Sequence, residues 1–189
     1  MIFVIDTSSS VAMIAQIDAG SRSEVAIPAR DPALLPNLRK LARERQVTRV
    51  AVATGPGSFT GLRVGVSFGL GLAIGLRVPI VALPTLDLQA ARSPEAVTAI
   101  VDAGRGRYYF QLPGGHARLG DPAEVPATYE LVGNVADRRP LIAAGHRFKP
   151  ESQLRPFVEA AEILLRTAGE VPYRNLEIEY MQSFSARKV

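Results

Sequence analysis

A short apolar run, Val50–Ala53, ends at Thr54-Gly55-Pro56-Gly57-Ser58, and small residues then recur at fixed intervals as far as Leu76. A buried strand, a glycine-rich turn and an apolar helix predict one strand–turn–helix unit with Ser58 as the helix N-cap. In that helix Gly61, Gly65, Gly69 and Ala73 fall every fourth residue, and so do Ser67, Gly71 and Gly75. Both sets lie along the helix as stripes of minimal side chains. Each interior glycine costs about 1 kcal/mol against alanine, so such stripes make sense where another backbone approaches closely. One stripe can pack on the chain's own sheet. The second needs another surface, either a subunit interface or an intramolecular crossing that buries both.

The turn itself could hold phosphate through backbone N–H groups at the helix N-terminus. It is not a Walker loop, because the glycine spacing differs and no Lys-Ser/Thr pair follows. It is not a dinucleotide fingerprint either, since Thr60 stands where the third glycine belongs. A tight turn capped by Ser58 accounts for it as well. Gly65-Val66-Ser67-Phe68-Gly69 has the nucleophile-elbow frame but falls inside the helix, not on a strand-to-helix turn. The apolar stretch Val64–Leu76 falls short of the ~20 residues of a membrane span.

Around this unit the chain alternates strand and helix patterns. Ile2–Ile5, Val11–Ile17 and Ser23–Ile27 read as an antiparallel meander, Ala33–Arg45 as an amphipathic helix, and Pro79–Ala82 as a strand before a helix over Pro84–Ala91. Arg92-Ser93-Pro94-Glu95 is the candidate boundary between an N-terminal lobe, 1–95, and a C-terminal lobe, 96–189. Beyond it the pattern restarts. Val97–Val101 runs into Asp102 as the first strand ran into Asp6, with Arg107–Leu112 as its hairpin partner. Leu141–Ala144 reads as a short strand, Arg155–Ala168 as an amphipathic helix, and the segment from Val171 as irregular chain docking back on the body. Strand, acidic turn and strand, occurring twice, predict a duplicated two-lobe α/β fold.

Composition narrows the chemistry. The 189 residues include no cysteine, which removes disulfides, thiolate catalysis and Cys-ligated metal sites. The two histidines, His116 and His146, read as surface or turn residues outside any catalytic or metal motif. Asp6-Thr7-Ser8 and Asp102 each follow a strand at a hairpin, an arrangement that suits Mg²⁺–nucleotide phosphate and equally suits an Asx-turn. The net charge is +4, with Arg39, Lys40, Arg43, Arg45 and Arg49 around one helix. That cluster could touch nucleic acid or form a solvated face. Asp6 interrupts the apolar start and no basic segment precedes it, so the expectation is a cytoplasmic protein without a membrane segment.

Three segments together resemble the TsaB (YeaZ) family: Val4-Ile5-Asp6-Thr7-Ser8, Gly55-Pro56-Gly57-Ser58-Phe59-Thr60-Gly61-Leu62-Arg63-Val64-Gly65, and Val101-Asp102-Ala103-Gly104-Arg105-Gly106-Arg107-Tyr108-Tyr109. Pro79–Leu86 fits in order, while past Gly115 the likeness thins and the chain is shorter than usual for the family. The resemblance implies the actin-like ATPase/sugar-kinase (ASKHA) fold with a reduced second lobe. It implies a non-catalytic subunit of the bacterial machinery that makes threonylcarbamoyladenosine at position 37 of tRNAs reading ANN codons. Such a subunit forms a heterodimer with and activates the catalytic paralogue TsaD, is joined by the ATPase TsaE, meets tRNA through the complex, and homodimerises when alone.

The family pairs through helices of its N-terminal lobe. That carries the interface to Gly61, Leu62, Gly65, Val66, Phe68, Gly69, Leu72 and Ala73, and to Ala33–Arg45. Asp31-Pro32-Ala33 departs from the family's usual lead-in to that helix. Neither a catalytic residue nor a metal is implied. A weak ATP/ADP–Mg²⁺ contact would fall on Asp6, Thr7, Ser8 and Asp102. Two other readings stay open: an actin-like nucleotide-binding phosphotransferase or ATPase using Asp6 and Asp102, and, more distantly, the glycoprotease-type peptidase by which such proteins have been labelled.

Overall fold

The computed structural model describes residues 1–181. The chain opens with a hairpin of β1 (Ile2–Asp6) and β2 (Val11–Asp18), extended by β3 (Ser21–Pro28). Helix α1 (Leu34–Glu44) crosses to β4 (Arg49–Gly55), which lies parallel to β1 on its other side. Helix α2 (Phe59–Leu76) then returns the chain to β5 (Ile80–Pro84), parallel to β4, and α3 (Thr85–Ala90) follows directly.

Sequence explains which strands sit inside. Ile2-Phe3-Val4-Ile5 and Val50-Ala51-Val52-Ala53 are apolar on both faces, and both faces are covered. Phe3, Ile5, Val50 and Val52 pack beneath α1 and α2. Val4, Ala51 and Ala53 face the opposite way. Strand β3 carries Ser21, Arg22, Ser23 and Glu24 and is mostly exposed, a polar edge that discourages further pairing.

A second sheet repeats the opening motif. Strands β6 (Thr98–Gly104) and β7 (Arg107–Gln111) form a hairpin, followed by β8 (Arg118–Gly120), while β9 (Leu131–Val132) runs parallel to β6. Asp6 pairs with Met13 at the end of the first hairpin and Asp102 with Tyr108 near the end of the second. The duplication expected from the two acidic turns is therefore present as hairpin plus parallel neighbour, twice.

The chain then comes back to the first sheet. Helix α4 (Arg139–Ala143) stands where a strand was expected over Leu141–Ala144. Pro140 presets the first turn, and Leu141 is buried while Ile142 is 57% exposed. Four residues are too few for periodicity to separate the two states. Helix α5 (Phe157–Leu165) lays Phe157, Val158, Ala161 and Leu165 on the face opposite α2. β10 (Glu170–Val171) pairs with β5, completing the order β10-β5-β4-β1-β2-β3. The expected division near residue 95 falls between α3 and β6, and residues 157–171 lie with the first sheet.

Helix α2 runs from the residue after its expected cap, Ser58, to Leu76, as its sequence reading had it. Its 18 residues, with a mean hydropathy of 1.5, make it the one helix among the described residues long and apolar enough to cross a membrane. One of its faces is joined closely to β1 and β4. Side chains on Gly61, Gly65 and Gly69 would overlap, respectively, the Thr7 carbonyl oxygen, the Thr7 hydroxyl and a Val52 methyl.

Candidate functional site: the cleft between the sheets

The first hairpin turn, the start of α2 and the second hairpin meet around a cleft of about 900 Å³. Local chemistry sets each wall. The Ser8 N–H donates to Asp6 Oδ1 at 2.8 Å, so Asp6 folds the turn back on itself as an Asx-type bond. Thr7 Oγ1 donates to the Gly61 carbonyl at 2.6 Å, and the Ser58 N–H donates to the Ser8 carbonyl at 2.6 Å. Contact this close needs glycine: a methyl built on Gly57 would lie 2.6 Å from the Ser8 carbonyl oxygen.

These bonds decide how the glycine turn is used. Ser58 caps α2 by accepting from the Gly61 N–H at 3.3 Å. Two amide donors that could have held a phosphate, those of Ser58 and Gly61, are thus already taken within the chain.

The four residues expected to contact phosphate divide. Thr7, Ser8 and Asp102 line the cleft. Asp6 lies beneath its floor, only 1% exposed. Burial pushes the Asp6 carboxyl above its ordinary range, against the bond from the Ser8 N–H that favours the charged form. Asp102 is also pushed up, first by burial and further by the Asp137 carboxylate, while the Ala136 N–H, which donates to Asp102 Oδ2 at 2.8 Å, works the other way. Asp6 Oδ2 and Ser8 Oγ are both buried without a hydrogen-bond partner. The cleft therefore offers hydroxyls and one half-buried carboxylate. Among the described residues no group of three or more His, Asp or Glu side chains is placed to hold a metal ion.

The residues expected at a partner interface are mostly turned inward. Leu62, Gly65, Val66, Gly69 and Ala73 are buried, and Phe68 and Leu72 pack on the core shared with β1 and β4. Gly61 rests on Thr7. The stripe Gly61–Ala73 thus packs on the chain's own sheet, and Ser67, Gly71 and Gly75 carry the outward stripe. Nothing lies within 4 Å of a side chain built on Gly71 or Gly75. Ile74 (51%) and Leu76 (48%) stand exposed at the same end of the helix, and Leu35 of α1 is 42% exposed.

Other residues sit differently from their sequence reading. His146, expected in a surface turn, is buried, with Nε2 2.9 Å from the Pro122 carbonyl oxygen. Arg45 and Arg49 are engaged by Asp18 and Glu170, leaving Arg39, Lys40 and Arg43 as the exposed basic face of α1. Arg30, Tyr109, Ala136, Glu179 and Tyr180 also line the cleft. Only tertiary contact assembles them, and no spacing in the sequence announces it.

Comparison with known proteins is consistent across sequence and structure. Residues 33–139 match a family model described as TsaD: tRNA N6-adenosine threonylcarbamoyltransferase. The tRNA threonylcarbamoyladenosine biosynthesis protein TsaB of Bacillus subtilis (strain 168) is 27% identical over 144 residues, covering 72% of this chain and 63% of that protein. The Haemophilus influenzae protein of the same name is 30% identical over 122 residues, 58% of this chain and 52% of its own. The chain thus spans between half and two-thirds of the length of these relatives. In structure it is similar to a Pseudomonas aeruginosa protein described as having similarity to peptidase YEAZ, with a TM-score of 0.69, 24% identity and coverage of 96% of this chain and 99% of the other. YeaZ from the same organism gives a TM-score of 0.65 at 21% identity.

Proposed function

Because this chain belongs to the TsaB (YeaZ) family and has its actin-like α/β fold, we propose that it works in tRNA threonylcarbamoyladenosine synthesis as a non-catalytic subunit. In this reading it pairs with the catalytic paralogue TsaD, activates it, is joined by the ATPase TsaE, and meets tRNA through the assembly in the cytoplasm.

One observation carries the pairing: α2 is apolar apart from Thr60, Arg63 and Ser67, yet only 28% of its residues are buried within the chain. Its inward glycines are accounted for by Thr7 and Val52, whereas its outward stripe with Ile74 and Leu76 is bare. An apolar helix face with glycines at the surface fits a facing helix at close range.

The test is a reconstitution of threonylcarbamoyl transfer to tRNA with TsaD, TsaE, threonylcarbamoyl-AMP and ATP, with and without this chain. Transfer should collapse without it and return with it. Gly71→Leu should abolish the complex with TsaD while leaving the monomer folded. Transfer that proceeds unaided defeats the role. An intact complex with Gly71→Leu moves the contact off α2.

A second reading, nucleotide binding of the actin-like type, is favoured by Ser8 and Asp102 lining the same cleft, with the Ser8 hydroxyl buried at its wall without a partner. Calorimetry with Mg²⁺–ATP tests it. Binding that weakens on Asp102→Ala supports it, and no heat of binding removes it.

A further inference from the structure

We propose that residues 176–181 are a detachable strap that ties the first sheet to the second across the mouth of the cleft and so sets how far the cleft opens. The segment touches both halves of the molecule within six positions. Leu176 and Ile178 pack against the core beneath α1 and α2. Met181 packs against the core of the second sheet, formed by Ala99, Val101 and Tyr109 with Leu86 of α3. Between these anchors the Glu179 N–H donates to the Thr54 carbonyl at 2.8 Å, at the end of β4. The Glu179 carbonyl lies so close to Gly55 that a methyl there would sit 2.8 Å from it. Arg63 Nε donates to Tyr180 Oη at 3.1 Å, with the guanidinium 3.8 Å from the centre of the Phe59 ring and the two aromatic rings 5.3 Å apart. Glu179 and Tyr180 then form part of the cleft wall.

The build of this segment suits an element that comes off without unfolding the rest. It belongs to no helix or strand, its three apolar anchors are only partly buried, and Glu177, Glu179 and Tyr180 are exposed. Segments with few buried contacts open at free energies well below that of global unfolding. With the strap released, the sheets remain joined through α3, which packs on β6 and serves as the pivot.

The chain contains no cysteine, so Lys40→Cys and His116→Cys place two spin labels at exposed positions, one on α1 and one beside the second sheet. The full chain should give one narrow label-to-label distance distribution. Adding Ile178→Ser and Met181→Ser should broaden it, with loss of hydrogen-exchange protection at the Glu179 amide. Should the double variant fail to fold, Met181→Ser alone frees the second-sheet anchor; its distance distribution should broaden in the same way, and an unchanged distribution overturns the proposal. A distribution unchanged after the Glu179 amide has lost protection overturns the proposal. So does a Glu179 amide as protected as the β4 amides, before or after the anchors are removed.

Discussion

Thr7 and Gly61 interlock. The Thr7 hydroxyl donates to the Gly61 carbonyl at 2.6 Å, and the Thr7 carbonyl oxygen occupies the space where a side chain on Gly61 would stand. One turn further along α2, the same hydroxyl fills the place of a side chain on Gly65. The first hairpin turn is thus seated in the notch that the inward glycines leave open. The two stripes of one helix therefore respond oppositely to the same small change. Gly61→Ala or Gly65→Ala should destabilise the protein by about 1–3 kcal/mol through overpacking. Gly71→Ala, where nothing stands in the way, should stabilise it by about 1 kcal/mol through helix propensity. Urea denaturation of the three variants checks both signs.

The buried Asp6 makes stability depend on pH in a definite direction. Burial raises its pKa, so the folded chain holds the proton more tightly than the unfolded chain does. Its contribution is present below the ordinary carboxylate pKa and is lost as pH rises through the raised value. Asp6→Asn keeps an acceptor for the Ser8 N–H and cannot ionise. Wild-type stability should therefore fall more steeply than that of the variant between acid and neutral pH, and parallel curves would show that Asp6 does not titrate in this way.

At the far end of α2 the Tyr173 hydroxyl donates to the Val78 carbonyl at 2.8 Å, with the Ala73 carbonyl also within reach at 3.2 Å. The Val78 carbonyl lies just beyond the helix C-terminus, and the Ala73 carbonyl in its last turn also accepts from the Arg77 and Val78 N–H groups, so the tyrosine pins the end of the helix to the chain that follows it. Tyr173→Phe should cost about 1 kcal/mol and speed hydrogen exchange in the last turn of α2 while leaving its first turn unchanged.

How much of this was legible beforehand varies with the kind of signal. β1, β4 and α2 could be read from Val4-Ile5-Asp6, Val50–Ala53 and the four-residue glycine interval, because burial on two faces and helical period leave marks along the chain itself. Which stripe of α2 faces inward could not. The rows Gly61-Gly65-Gly69 and Ser67-Gly71-Gly75 are chemically alike, and only the position of Thr7 separates them. Asp6 was visible as a turn acid, but its depth beneath the cleft depends on β2 and α2 closing over it. Arg30, Tyr109 and Tyr180 come from three distant parts of the chain and meet only in the folded protein.

On the second hairpin's side of the cleft, Asp137 carries a depressed pKa of about 2, caused first by the hydrogen bond from the Arg139 side chain. Arg139 Nη2 lies 2.9 Å from Asp137 Oδ2 at the surface. A carboxylate titration followed by NMR should place the Asp137 midpoint near that value, and Arg139→Gln should move it up toward the ordinary carboxylate range. A midpoint unmoved by the substitution would mean the pairing does not persist in solution.

The order in which the sheet is assembled bears on how the protein is made. Five strands of the first sheet, β1 to β5, have been synthesised once Pro84 has been added, but α5, which covers one face of that sheet, begins only at Phe157, and β10, which pairs with β5, begins at Glu170. A nascent chain leaving the ribosome thus carries a nearly finished sheet with one apolar face covered only by α3 and an open edge while some seventy further residues are added, a matter of seconds at about 5–20 residues per second. During that interval Val4, Ala51 and Val81 lack the cover that α5 will later bring. A trigger-factor-like chaperone holding that face, or slow translation just after Pro84, would change the yield of folded protein without altering any contact in its final state.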